Sequence, residues 1–161
     1  MQTVPDPTEQ SRWRPLQVVL RAMDSDIGRI YAERDVTGIT PRHVRPLIRL
    51  SRSGPMTISQ LSSTLGVTHS AASQTVSALR RAGYVRTRTG ADARTRTVGL
   101  TAKGRALVPL LEAEWNATEA AIAELETEVP YPLSQVVSDL EEALVRRSFH
   151  TRVSEHLRDF S

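Results

Sequence analysis

Two short helical patterns joined by a glycine turn constrain the fold of this chain more than any other feature. The first pattern runs from Thr57, which can cap a helix, to Leu65, and its apolar residues recur on one face. Gly66 supplies a left-handed helix end, and Thr68 can cap a second helix a few residues later. Two helices joined by such a short turn form a helix-turn-helix.

The second of these helices has an inner and an outer face. Its period turns four side chains inward, namely Ala72, Thr75, Val76 and Leu79. The outward side chains are small or polar near the N-terminus and basic near the end, namely His69, Ser70, Ala71, Ser73, Gln74, Ser77 and Arg80. Gly83 ends the helix. The outer face is therefore available for contact with another molecule.

A basic β-hairpin is predicted after this helix. Two short strands between residues 84 and 100 flank a glycine-containing tip at residues 90–93. Four arginines are spaced so that each pair shares one strand face, namely Arg86, Arg88, Arg94 and Arg96. The hairpin is a wing beside the helix-turn-helix.

Helical patterns flank this central region on both sides. One long helix is predicted from about Ser11 to Asp35, and a second follows Thr40, with Pro46 as a possible bend. After the hairpin, a long helix runs from about residue 102 to 128 with Pro109 inside it, and a last helix runs from about residue 133 to 149 or beyond. The sequence therefore predicts a mainly α fold.

Positive charge is concentrated in the middle of the chain. Between Pro41 and Arg105 there are twelve Arg or Lys residues and a single acid, Asp92, for a net charge of +11. The flanking segments hold nine basic and seventeen acidic residues, or −8, which gives the +3 of the whole chain. Nucleic acid is the first candidate partner, because neutralising phosphates releases condensed counterions. The alternative is a solvated basic face without a partner.

Composition excludes several function classes. The absence of cysteine rules out disulfides and thiolate metal sites. The first residues form no signal peptide, and no stretch approaches a membrane span, so we expect a cytoplasmic protein without a membrane partner. No phosphate loop or nucleophile elbow appears, so no enzyme and no cofactor are predicted. His150 and His156 lack convincing metal-ligand spacing, and no metal is assigned.

The order of these elements resembles the MarR family of winged helix-turn-helix regulators over nearly the whole chain. The most similar stretch is residues 58–107. It contains a D-x-R wing motif, Asp92 to Arg94, and an L-T-x-x-G motif, Leu100 to Gly104. Thr95 stands where a second Arg is common in the family. The resemblance implies a mainly α fold: a winged helix-turn-helix with a β-hairpin wing and long N- and C-terminal dimerisation helices.

The resemblance also implies a domain organisation and a homodimer. The expected segments are a flexible lead at 1–10, an N-terminal dimerisation helix at 11–36, a DNA-binding lobe at 37–101 and C-terminal dimerisation helices at 102–161. Two-fold symmetry would present two recognition helices ~34 Å apart to a palindromic site on double-stranded DNA. The alternative is that the terminal apolar stripes pack only within one subunit.

Roles for the DNA-facing residues follow from their chemistry. Short or hydrogen-bonding side chains suit the opening of a recognition helix, which favours base contacts from His69, Ser70, Ser73 and Gln74. Gln74 suits adenine, although it can equally be a solvated surface amide. Phosphate contacts are predicted for Thr68, Ser70, Ser77, Arg86, Arg88 and Arg96, and Arg80 is a further predicted DNA contact. The resemblance implies that Asp92 holds Arg94 toward the minor groove or its phosphates; alternatively, Asp92 only favours the turn.

Regulation by a small-molecule effector is a further implication of the resemblance. The candidate lining residues are Trp13, Tyr31, His43 and Trp115, each of which can equally be plain packing or surface. The leading hypothesis is a homodimeric, ligand-responsive transcriptional repressor that binds a palindromic operator. The alternative is a winged-helix interaction module whose basic face binds RNA or an acidic protein.

Overall fold

Helices dominate the computed structural model, which describes residues 6, 9–89 and 96–158. The elements in chain order are α1 (Arg14–Glu33), a short 3-10 helix (Pro41–His43), α2 (Val44–Ser53), α3 (Ile58–Leu65), α4 (His69–Arg81), β1 (Val85–Thr89), β2 (Arg96–Leu100), α5 (Ala102–Thr127), α6 (Leu133–Arg146) and α7 (Phe149–Leu157). The predicted mainly α winged helix-turn-helix fold is confirmed. Most of the predicted flexible lead, at residues 1–10, lies outside the described residues.

The chain divides into two compact units, Met1–Ala113 and Glu114–Ser161. The first unit contains a continuous apolar core. Its fully buried side chains include residues from α1 to α5, namely Tyr31, Val44, Leu47, Leu61, Leu79, Val98 and Leu111. Burial of each such side chain contributes about 1.5–3 kcal/mol. This core holds the helix-turn-helix and the base of the hairpin together.

The buried side of helix α4 is the side that the sequence predicted. Ala72, Val76 and Leu79 are buried against the core, and Thr75 is half-buried. The turn before the helix contains Gly66 at φ 68°, a left-handed conformation that glycine adopts without a steric penalty. The local pattern and the packing therefore agree on the orientation of α4.

The hairpin is a two-stranded antiparallel sheet with Val85 opposite Leu100 and Thr89 opposite Arg96. Met56 extends it by an isolated bridge to Val98, with backbone hydrogen bonds of 3.0 and 2.7 Å. Buried Val85, Val98 and Leu100 turn one face of the sheet toward the core. The base of the wing is thereby fixed to the helical lobe.

Three local expectations need correction. Helix α1 starts at Arg14 rather than Ser11, because a proline in its first turn marks the helix start. Pro46 lies in the first turn of α2, where a backbone N–H has no partner within the helix, so it removes no hydrogen bond from α2. The last predicted helix is two helices, because Ser148 accepts a hydrogen bond from Thr151 N–H and begins α7.

The second unit has no buried residue among those described, Glu114 to Arg158. The start of its helix α6 is capped by a residue of the preceding helix. The Glu126 carboxylate accepts hydrogen bonds from the Ser134 N–H at 2.6 Å and the Ser134 hydroxyl at 2.7 Å. The hydrogen bond from the Ser134 backbone, followed by that from its hydroxyl, lowers the pKa of Glu126. None of the described helices is long and apolar enough to cross a membrane.

Candidate nucleic-acid interface

The candidate recognition helix is α4, and its N-terminus is well defined. The Thr68 hydroxyl accepts a hydrogen bond from Ala71 N–H at 3.1 Å, as expected of an N-cap residue. The first N–H groups of an α-helix have no acceptor within the helix. Such amides, together with the positive end of the helix dipole, favour contact with a phosphate group.

The outer face of α4 is mostly polar, with Ala71 as an exposed apolar residue. Thr68, His69, Ser70, Gln74 and Arg80 are exposed. Ser73 and Ser77 are half-buried, so they are less accessible than the other predicted DNA contacts. These side chains recur at three- and four-residue steps and therefore lie along one side of the helix. The structure thus brings the predicted recognition residues onto a single surface.

Two further arginines lie beside this surface. Arg42 and Arg45 line a cleft of ≈ 320 Å³ together with Gln74, while Leu61 and Leu65 form its apolar wall. Both arginines are exposed. We did not predict them as contacts, because they precede Gln74 by about thirty positions in the sequence. The sequence signal that could have identified them is their spacing of one helical turn at the start of the second predicted helix.

The C-terminal end of α4 is tied to α5 by the predicted L-T-x-x-G motif. The Thr101 hydroxyl donates to Gly83 O at 2.7 Å, and Lys103 Nζ donates to Ala82 O at 2.9 Å. A Cβ atom on Gly104 would lie 2.1 Å from the backbone oxygen of Tyr84, so no side chain fits there without displacement. The motif therefore fixes the recognition helix and the wing against α5.

Lys103 and Tyr84 strengthen this joint. The ammonium group of Lys103 lies 4.2 Å from the centre of the Tyr84 ring, within cation–π range. The Tyr84 hydroxyl donates to Thr37 O at 2.9 Å. The Lys103 ammonium group is therefore held at the C-terminal end of α4 by these two contacts.

The arginines of the wing occupy both faces of the hairpin. Arg86 pairs with Gly99 and Arg88 with Thr97, so these two side chains share the face opposite the core. Arg96 lies on the other face at the outer end of β2, and all three arginines are exposed. The predicted tip at 90–93, with Asp92, and the predicted minor-groove residue Arg94 lie outside the described residues.

Little negative charge compensates the basic lobe. Within residues 9–89 and 96–158, Arg52 is the arginine of the lobe that forms an ion pair, at 2.9 Å to Glu112. The described residues also include no group of three or more potential metal ligands. The arginines beside α4 and on the wing therefore present a positive field that attracts a polyanion.

The four candidate effector residues have different environments. Tyr31 and His43 are buried in the first unit, whereas Trp13 is 60% exposed at the start of α1. Trp13 and Tyr31 are separated by eighteen residues of helix, or about 27 Å, so one small site within one chain cannot include both. Trp115 is 37% exposed and belongs to the second unit.

His43 has a structural partner. Its Nδ1 accepts a hydrogen bond from Thr40 N–H at 3.1 Å and lies 3.2 Å from the Thr40 hydroxyl. Burial, followed by the charge of Arg42, lowers the pKa of His43. The neutral form of His43 therefore supports the short helix that leads into α2.

Comparison with known proteins shows which protein family shares this architecture. Residues 37–95 match the model of the MarR family. No curated protein sequence is similar enough to this chain to count as a relative.

Solved structures with the same fold include two complexes with DNA. Staphylococcus aureus MepR bound to DNA is 18% identical, with a TM-score of 0.64 over 85% of this chain and 98% of that chain. The Mycobacterium tuberculosis transcriptional regulator MosR, also in complex with DNA, is 25% identical, with a TM-score of 0.60 over 86% of this chain and 99% of that chain.

A third similar structure binds a different partner. The haem sensor PefR of Streptococcus agalactiae, solved with haem, is 16% identical, with a TM-score of 0.63 over 87% of this chain and 98% of that chain. The resemblance to the MarR family is thus confirmed over residues 37–95, and the chain has the fold of MarR-family transcriptional regulators.

Proposed function

We propose that the protein is a homodimeric transcriptional repressor that binds a palindromic operator and responds to a small-molecule ligand. The observation that carries this proposal is the exposed polar face of α4 in a lobe whose arginines, beside Gln74 and on the wing, are mostly not paired with acids in the described residues. Arg42 and Arg45 lie on one side of Gln74, and the arginines of the wing follow α4 in the chain. A recognition helix in the major groove with flanking phosphate contacts requires this arrangement.

Dimerisation is supported by the apolar side chains that the second unit leaves exposed. Thirteen large apolar residues between Trp115 and Leu157 are at least 36% exposed. Exposed apolar area on this scale marks an interaction surface. A second copy of the chain is the partner we propose, since symmetric pairing would also place two recognition helices on one palindrome. The domain organisation expected from the sequence, with terminal dimerisation helices around the lobe at 37–101, is part of this proposal.

Selection of DNA from a random duplex pool tests the proposal directly. We expect the enriched duplexes to contain an inverted repeat whose half-sites are about one helical turn apart. RNA of equal length and charge should compete poorly. Enrichment without any inverted repeat, or equal displacement by RNA, would favour the interaction-module hypothesis instead.

Two substitutions separate base recognition from phosphate contact. Gln74→Ala should reduce discrimination at one base position by about 1–3 kcal/mol, because a bidentate amide contact is lost. Arg94→Ala should weaken binding to all sequences and lower the salt slope by about one. Gln135→Ala, on exposed α6, is the matched control and should change neither quantity.

Ligand response is the part of the proposal that the family resemblance implies. Its candidate residues remain Trp13, Tyr31, His43 and Trp115. Ligands of the amphipathic class that the family resemblance implies would be screened by their ability to release a labelled operator. A releasing ligand should bind the Tyr31→Phe or His43→Asn variant more weakly if these residues contact it. Unchanged affinity in both variants would remove the two buried residues from the site.

A further inference from the structure

A second cleft lies at the base of the wing, beside the strand face that carries Arg86 and Arg88. Its volume is ≈ 250 Å³, and α4 contributes no residue to it. Leu50, Pro55 and Leu100 provide apolar walls, whereas Ser51 and Thr97 add hydroxyl groups. The cleft is therefore distinct from the recognition surface.

Three guanidinium groups line this cleft. Arg86 and Arg88 come from β1, and Arg105 comes from the first turns of α5. Arg105 Nη1 donates to Leu100 O at 3.0 Å, which holds this side chain at the edge of the cleft. The other nitrogen atoms of the Arg105 guanidinium remain able to donate to a ligand.

No carboxylate offsets these charges. The lining residues include no acid, and none of the three arginines forms an ion pair within the described ranges 9–89 and 96–158. The three positive charges in one cleft repel each other. An anion bound between them attracts each guanidinium and offsets this repulsion. Arginine is also the side chain best suited to grip a phosphate or carboxylate through two parallel hydrogen bonds.

The size of the cleft limits the ligand. Pockets for drug-sized ligands start at about 300 Å³, and this cleft is smaller. It suits a single oxyanion with a small apolar attachment rather than an extended molecule. We propose that the wing-base cleft binds one phosphate or carboxylate group through Arg86, Arg88 and Arg105.

The oxyanion has two possible sources, a backbone phosphate of DNA or a free small anion. A free anion would withdraw Arg86 and Arg88 from the phosphate contacts predicted for them and would weaken DNA binding. This regulatory consequence rests on the proposed function, whereas binding of the anion itself does not.

Calorimetric titration of inorganic phosphate into the full chain tests the site at constant ionic strength in chloride buffer. We expect saturable binding that weakens at least tenfold in Arg105→Gln and is unchanged in the control Arg49→Gln, an exposed arginine outside the cleft. Arg88→Gln, on the exposed strand face, should give the same loss if Arg105→Gln fails to fold. Equal, non-saturable heats in all variants would overturn the proposal.

Anisotropy of a labelled duplex then distinguishes the two sources. If the source is a free anion, phosphate should weaken DNA binding by the wild type but not by Arg105→Gln. If it is a DNA phosphate, Arg105→Gln should itself bind DNA more weakly, with a salt slope lower by about one. Phosphate binding without any DNA binding would leave the cleft in place and contradict the proposed function alone.

Discussion

The two compact units differ in where they place their apolar side chains. Met1–Ala113 contains all sixteen buried apolar residues among those described, whereas Glu114–Ser161 contains none. The first unit buries an apolar core of its own but leaves apolar side chains of α1 exposed, among them Val18, Val19 and Leu20. It also carries the candidate recognition helix and the wing. The second unit has helices whose apolar residues stay exposed, and exposed faces of this kind require another surface to cover them. Under the proposed function, this contrast places recognition in the first unit and most of the apolar dimerisation surface in the second.

The largest expected effect is a loss of dimerisation when exposed leucines of the second unit are replaced by acids. Leu140 and Leu144 are 39% and 43% exposed on one side of α6. Replacing both, as Leu140→Asp with Leu144→Asp, should weaken dimerisation by about 3 kcal/mol or more, or at least ~100-fold, because two apolar contacts become carboxylates. Light scattering during gel filtration measures the mass. Ser138→Asp is the control, and a double variant that stays dimeric would contradict the proposed interface.

The same leucine truncation in both units sharpens the comparison. Leu79→Ala should lower the free energy of unfolding by about 2–5 kcal/mol, because Leu79 is fully buried and its loss leaves a cavity. Leu140→Ala should instead lower the melting temperature in a way that depends on protein concentration, because the lost contact lies between chains in the proposed dimer. Thermal unfolding at two concentrations measures both effects. A concentration-independent loss in Leu140→Ala would place that side chain in a core of its own unit.

Two helical glycines provide a smaller and equally specific test of the first unit. Gly104→Ala should lower the free energy of unfolding by about 1–3 kcal/mol, because the added Cβ would lie 2.1 Å from Tyr84 O. Gly28→Ala in α1 meets no atom within 4 Å and should be neutral or stabilising by up to about 1 kcal/mol. Urea unfolding measures both. Equal effects at the two positions would show that the joint between α4 and α5 is not tight.

The smallest expected effect is a pH dependence at His43. Because burial lowers the pKa of His43 below its usual value of 6.5, the unfolded chain takes up this proton at a higher pH than the folded chain does. The free energy of unfolding should therefore fall as pH drops below that value and be unaffected well above it. His43→Asn keeps an acceptor for Thr40 N–H and should flatten this dependence.

Urea unfolding at about pH 7.5 and about pH 5.5 measures the difference between wild type and variant. The exposed histidine variant His69→Asn is the control and should retain the wild-type dependence. If His43→Asn loses as much stability in acid as the wild type does, His43 is not the group responsible.

Local sequence patterns predicted helix α4 and its inner face correctly because their causes are local. Thr68 caps α4, Gly66 adopts the left-handed turn, and the period of Ala72, Val76 and Leu79 orients the helix. The break before α7 was missed because the apolar period continues through it. Ser148, a good N-cap residue, was the signal that marked the new helix.

By itself, the sequence determined the order of the elements, the faces of α4 and the basic character of the lobe, since each depends on neighbouring residues along the chain. Only the tertiary structure placed Arg42 and Arg45 beside Gln74, brought Arg105 to Arg86 and Arg88, and put Gly104 against Tyr84. These contacts join residues from separate elements. Their geometry follows from how the helices pack on the shared core, which a periodic pattern does not specify.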